Sequence, residues 1–152
     1  MSDIAKYANL AQRIPLFNGV SPEDVHKIFS KGMTQIVEKD NVIFYEGTEG
    51  NQMFVVLAGT VDLFSGKKKI ATLRSGAMFG EMALINSEPR SASAIAAERS
   101  QLFVLSETAF QKLMTKRISI RMLLNIVGVM SDRIREANKR LADAGGAPDS
   151  QS

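Results

Sequence analysis

The sequence predicts a mainly β protein with helices at both ends. From Met33 to Val104 the chain runs in short apolar and β-branched stretches punctuated by glycine, and on either side apolar residues recur at helical spacing behind capping residues. So many short strands at that spacing imply a sandwich or a roll.

Ile4 to Ile14 predicts a first helix, which Pro15 stops. Ser21-Pro22-Glu23-Asp24 opens a second, with Ser21 as N-cap and Pro22 at the first helical position, where a missing N–H costs nothing. Val25, Ile28 and Phe29 share one face of it. Strands are predicted over Met33 to Val37, Val42 to Tyr45, Gln52 to Ala58, Thr60 to Phe64, Lys69 to Leu73, Ala92 to Ala97 and Gln101 to Leu105. Ser106 then caps a helix over Thr108 to Thr115, and Ile118 begins a longer one.

That last helix carries a stripe of its own. Ile120, Leu123, Val127, Met130, Ile134, Ala137 and Leu141 recur at alternating spacings of three and four over three heptads. Such a stripe either packs along the β layers of its own chain or pairs with the same helix, residues 118–141, of a second copy. Gly128 lowers helix propensity there by about 1 kcal/mol and permits a bend or a close crossing. Residues 1–141 are expected to form one domain: N-terminal helices over 1–31, the β region over 32–105 and C-terminal helices over 106–141. Residues 142–152, with Gly145, Gly146 and Pro148, are expected to be a disordered tail.

Composition narrows the function classes. A hydrophobic content of 45% and a charged content of 23% are ordinary for a globular protein, which excludes wholesale disorder. There is no cysteine, so disulfides, thiol catalysis and cysteine-ligated metals are excluded, and a single histidine, His26, excludes a histidine-rich metal site. No run approaches the roughly 20 apolar residues of a transmembrane helix, and Asp3 and Lys6 stand where a signal peptide would be apolar, so a cytoplasmic protein that avoids membranes is expected. The net charge of +3 carries little weight as a sign of nucleic acid, because its cations are spread along the chain. Only Lys67 to Lys69 cluster, and they follow Ser65-Gly66 as a solvated hairpin turn would.

The most informative run is FGEMALINSEPRSAS, Phe79 to Ser93. Gly80 lets the backbone approach a ligand closely and turn into a short helix, Met82 to Ile85, whose free N–H groups suit an anion. Asn86 to Pro89 read as the turn that ends it, and Arg90 supplies a guanidinium fork fit for phosphate oxygens. A carboxylate at Glu81 would be repelled by a phosphate. It suits a neutral donor on the same ligand, such as a sugar hydroxyl. Phosphate and hydroxyl together suggest a nucleotide.

The run resembles the phosphate-binding cassette of the cyclic nucleotide-binding domain family. Phe79, Gly80, Glu81, Met82, Ala83, Leu84, Arg90, Ser91 and Ala92 fill the places of its pattern. A second family element lies upstream, where Gly47, Thr48 and Gly50 precede Met53, Phe54, Val55 and Val56, with Gly59 after two more residues. The resemblance implies a β-roll with a jelly-roll arrangement, N-terminal helices and a long C-terminal helix. It implies a cyclic phosphate held by Arg90, by the N–H groups of Met82 and Ala83 and by Ser91 beside Ala92, with the ribose 2′-hydroxyl on Glu81 and the Gly80 backbone. The purine would lie between Val61 and Phe79 on the roll and a lid from the long helix, for which Arg133, Ala137 and Asn138 are candidates and Arg135 an alternative. In the family a serine after the arginine is common in bacterial cAMP receptors, so Ser91 favours cAMP and leaves cGMP open.

The long helix, with its Asp132-Arg133-Ile134-Arg135-Glu136-Ala137-Asn138 segment, also resembles the catabolite activator branch of the family, whose members continue into a helix-turn-helix. Residues 142–152 are too few for that motif, which needs about 20 residues, so no DNA binding is expected. No catalysis is expected either, since neither Glu81 nor Glu88 is placed as a base for phosphodiester hydrolysis. The expectation is a stand-alone bacterial cyclic nucleotide sensor that signals through its C-terminal helix to a protein effector or within a homodimer. The alternatives are a regulatory domain cut from a channel or transcription factor, and a degenerate roll that no longer binds a ligand.

Overall fold

In the computed structural model, residues 9, 12–84, 88–113 and 116–145 are described. Two antiparallel sheets of four strands form the centre, one in the order β1-β8-β3-β6 and the other β2-β7-β4-β5. In chain order the strands are β1 (Met33–Val37), β2 (Val42–Phe44), β3 (Gln52–Ala58), β4 (Val61–Ser65), β5 (Lys68–Leu73), β6 (Met78–Phe79), β7 (Ser93–Ala96) and β8 (Ser100–Ser106). Helices α1 (Pro22–Lys31), α2 (Glu107–Leu113) and α3 (Lys116–Gly145) flank them.

The continuous apolar runs of β3 and β8 follow from burial on both faces. Met53, Val55, Phe103 and Leu105 point to the helices and pack with Leu16, Phe17, Val25, Ile28, Phe110, Met122 and Ile126. Phe54, Val56, Leu102 and Val104 point the other way and meet Val61, Leu73, Phe79, Ala94 and Ala96 between the sheets. The two faces alternate along each strand, as a period of two requires. The first sheet is therefore the middle layer of three.

The helix caps are as expected: Ser21 Oγ accepts from the Asp24 N–H at 3.2 Å, and Ser106 Oγ from the Ala109 N–H at 3.0 Å. Several boundaries differ from expectation. Of the helix expected over Ile4 to Ile14, Asn9, Gln12 and Arg13 are helical, most of the span lies outside the described residues, and Ile14 is already extended. Pro15 does more than stop it, since Pro15–Phe17 form a 3₁₀ turn that buries Leu16 and Phe17 completely. β6 was not anticipated. In place of a helix over Met82 to Ile85, a 3₁₀ turn spans Glu81–Leu84, beginning one residue earlier; Ile85 and the start of the expected Asn86 to Pro89 turn lie outside the described residues. α3 continues to Gly145, so residues 142–145, assigned to the tail from the sequence, are helical, while 146–152 lie outside the described residues.

α3 settles one of the two readings of its stripe. Its buried face is Ile118, Met122 and Ile126, whereas Ile120, Leu123, Val127, Ile134 and Leu141 are between 42% and 70% exposed. The stripe does not pack along its own β layers, apart from the half-buried Met130. Gly128 sits inside the continuous helix with open space where a Cβ would project.

Candidate functional site

Two connections cross between the sheets at the same end of the roll. One joins β2 to β3 and carries Gly47, Thr48 and Gly50; the other joins β6 to β7 and carries the 79–93 run. They are tied by a reciprocal pair, in which the Gly47 N–H donates to the Arg90 carbonyl and the Arg90 N–H donates to the Thr48 carbonyl, both at 2.8 Å. The two sequence motifs are thus one structural unit built around Arg90.

The Arg90 side chain runs inward. Its Nη2 donates to the Gln52 carbonyl at 2.8 Å and its Nη1 to the Gly80 carbonyl at 3.3 Å, while Nε is buried without a hydrogen-bond partner. The guanidinium lies over the Phe44 ring, 4.2 Å from its centroid. Burial lowers its pKa from the ordinary value and the nearby Glu81 carboxylate raises it. It remains a cation, as arginine does in proteins.

Glycine is needed twice beside this side chain. A Cβ on Gly50 would stand 2.2 Å from Arg90 Nε, and one on Gly80 would stand 2.7 Å from Nη1. Gly80 also adopts φ +74°, in the left-handed region.

Glu81 is buried to 7% exposure and its Oε1 accepts from Arg133 Nη1 at 3.2 Å. Arg133 Nη2 donates to the Met78 carbonyl. The long helix is therefore joined to the start of the 3₁₀ turn. Within the turn, the Ala83 N–H donates to the Gly80 carbonyl at 3.2 Å.

A cavity of about 140 Å³ opens among these groups, lined by Phe79, Gly80, Glu81, Met82, Ala83, Arg90, Ser91, Ala92 and Arg133, with Phe44 and Leu63 on the roll side. A second, more apolar cavity of about 540 Å³ lies between β5 and α3 and shares Leu63 and Arg133 with the first. Most of the residues singled out from the sequence therefore meet at one place. Val61 does not line either cavity; it is fully buried between the sheets, and Leu63, two residues on and half-buried, lines both. Asn138 and Ala137 are exposed and line neither cavity, and Arg135 pairs with Asp132 on the same helix. Phe44 went unnoticed in the sequence, where only its place in a short apolar strand marked it as inward. The chemistry on offer is a half-buried cation near a buried carboxylate in a small cleft, with an apolar annex. Among the described residues no group of three or more metal-ligating side chains is found, and no helix is long and apolar enough to cross a membrane.

Residues 34–117 match the cyclic nucleotide-binding domain family. The chain is 33% identical over 132 residues to the cyclic AMP receptor protein of Thermus thermophilus, covering 84% of this chain and 60% of that protein. It is 32% identical over 108 residues to the regulatory subunit of cAMP-dependent protein kinase of Hypocrea atroviridis, covering 71% and 23%. The chain thus spans less than two thirds of either relative. Among solved structures, the catabolite activator protein of Thermus thermophilus superposes with a TM-score of 0.74 at 32% identity, covering 86% of this chain and 63% of that one. A cyclic nucleotide-binding domain from Methylobacillus flagellatus gives a TM-score of 0.80 at 26% identity, covering 93% and 83%.

Proposed function

Because this chain belongs to the cyclic nucleotide-binding domain family, we propose that it is a cyclic nucleotide sensor whose ligand is cAMP and whose output leaves through the long helix. The observation that carries the proposal is the Glu81–Arg133 contact, which joins the candidate ribose acceptor to α3 at 3.2 Å.

In this reading the cyclic phosphate enters the smaller cavity against Arg90, Ser91 and the Met82 N–H. The ribose 2′-hydroxyl donates to Glu81. The purine extends past Leu63 and Phe79 into the apolar annex beneath α3. Glu81 already accepts a hydrogen bond from Arg133, so a ribose hydroxyl either uses the remaining carboxylate lone pairs or displaces the guanidinium. Either event changes the hold of the site on the helix. The ligand then shifts α3 between positions in proportion to its differential affinity for them. The exposed apolar stripe gives that movement something to present, either to a protein effector or to the same stripe of a second copy. The preference for cAMP over cGMP rests on Ser91 and on two relatives named for cAMP at 32–33% identity.

Titration calorimetry with cAMP, cGMP and AMP tests the proposal. Saturable binding of cAMP, tighter than that of cGMP and far tighter than that of AMP, is expected. Absence of binding to either cyclic nucleotide below about 100 μM, some 5.5 kcal/mol of affinity, would sink it.

A further inference from the structure

We propose that Phe44 is the positioning residue of the anion-binding arginine: its ring holds the Arg90 guanidinium flat and ready before any ligand arrives. The inference rests on the reading of Arg90 as the phosphate ligand.

Four observations converge on it. The guanidinium carbon lies 4.2 Å from the centroid of Phe44, against 5.7 Å for Phe54, so Phe44 is the ring that the cation covers. That distance is well inside the range in which a cation is attracted to the face of an aromatic ring. The ring is itself fixed, with Phe54 and Phe79 at centroid distances of 5.7 and 5.9 Å. Finally, strand register puts it there, because Phe44 pairs with Ala94, four residues after Arg90 on the strand that leaves the cassette.

The remaining contacts show what the ring does. The Gln52 and Gly80 carbonyls take one hydrogen from each terminal nitrogen, which fixes the edge of the guanidinium but not its tilt. An aromatic face against the flat of the group removes that last freedom. Nε, buried with no acceptor, has nothing else to hold it. Each terminal nitrogen keeps a second hydrogen for a ligand. A long, flexible side chain is therefore ordered before binding, and a phosphate meets a cation that has already lost its rotamer freedom. An aliphatic residue at position 44 stays apolar but is smaller and supplies no such attraction, so its packing loss shows in the melting temperature and its positioning loss in the Arg90 signal.

The test compares Phe44→Leu and Phe44→Tyr with the unaltered chain, by calorimetry with cAMP and by the NMR signal of the Arg90 Nε–Hε group, assigned with Arg90→Lys. Ring current is expected to displace that signal upfield in the ligand-free chain. The Leu variant should return it to the position of a free arginine and weaken cAMP about tenfold, the effect of a cation–π contact of ordinary strength. The Tyr variant should keep both the displacement and affinity within about twofold. An undisplaced signal in the unaltered chain, a Leu variant that binds within twofold of it, or equal losses in the Leu and Tyr variants would each overturn the inference. An unaltered chain that binds no cyclic nucleotide overturns the reading beneath it as well, and is seen before any variant is made.

Discussion

Arg133, in the second half of the long helix, donates to the buried carboxylate of Glu81 at 3.2 Å across a sequence separation of 52 residues. Replacing it by alanine leaves Glu81 buried and without that partner. Arg133 itself is 39% exposed, which screens the pair, so the cost belongs near the low end for an unsatisfied buried group, about 1–2 kcal/mol. Calorimetric melting of Arg133→Ala should show a fall of roughly 3–6 °C for a chain of this size. An unchanged melting temperature would show that the pair holds nothing together.

Arg90→Ala removes the cation wedged between the two crossing connections. Cyclic nucleotide affinity should drop by about 2–5 kcal/mol, as when one partner of a desolvated charge pair is truncated. Gly50→Ala is a subtler probe of the same group. The added Cβ would stand 2.2 Å from Arg90 Nε, so the ordered side chain must shift from its seat while the backbone keeps its place, and the fold should survive. Affinity should fall while the melting temperature stays within about 2 °C, corresponding to about 0.5 kcal/mol. Loss of the fold in Gly50→Ala would mean that the arginine is clamped too tightly to move.

The exposed stripe of α3 makes a prediction about assembly. A double change, Val127→Glu with Ile134→Glu, places charge on two residues that are 57% and 60% exposed, so it should leave the monomer fold intact. Light scattering should give twice the 16.6 kDa chain mass for the unaltered protein and the single mass for the variant. A single mass for the unaltered protein, with and without cAMP, would rule out the homodimer.

The opposite face of that helix behaves as core. Met122 is fully buried, and Met122→Ala should cost about 2–5 kcal/mol in urea unfolding. Leu124, 57% exposed and only two residues away, should cost less than about 0.5 kcal/mol when changed to alanine in a monomeric background.

Much of this arrangement was legible in the chain, for reasons that can be named. β1 and β3 were located to the residue because Met33 to Val37 and Gln52 to Ala58 are bounded by glycine or turn residues on both sides. β6 escaped because two residues before Gly80 are too few to show alternation. The turn at Pro15 is not legible because proline after a helical stretch signals only a stop, whereas its fixed φ here starts a turn that seats Leu16 and Phe17 in the core. Glu81, Arg90 and Arg133 each stand out in the sequence, yet neither the Glu81–Arg133 pair nor the seat of Arg90 on Phe44 follows from local pattern. Both depend on which strands and helices become neighbours. For Val61 and Leu63 the difference is one of depth, not of facing. Both belong to β4 on the same face, and only the depth of each within the sandwich decides that Leu63 reaches the cavity.

The reciprocal bonds between Arg90 and the Gly47–Thr48 turn bear on how the protein folds. They join segments more than forty residues apart, and they exist only when β2, β3, β6 and β7 have all taken their places. A pocket tied together in this way is complete only in the native fold. Ligand arriving during folding finds nothing to hold until both sheets have closed, so it should slow unfolding and leave the rate of folding almost untouched. For a newly made chain, competence to hold a ligand there would then arrive all at once, as the last step of becoming native.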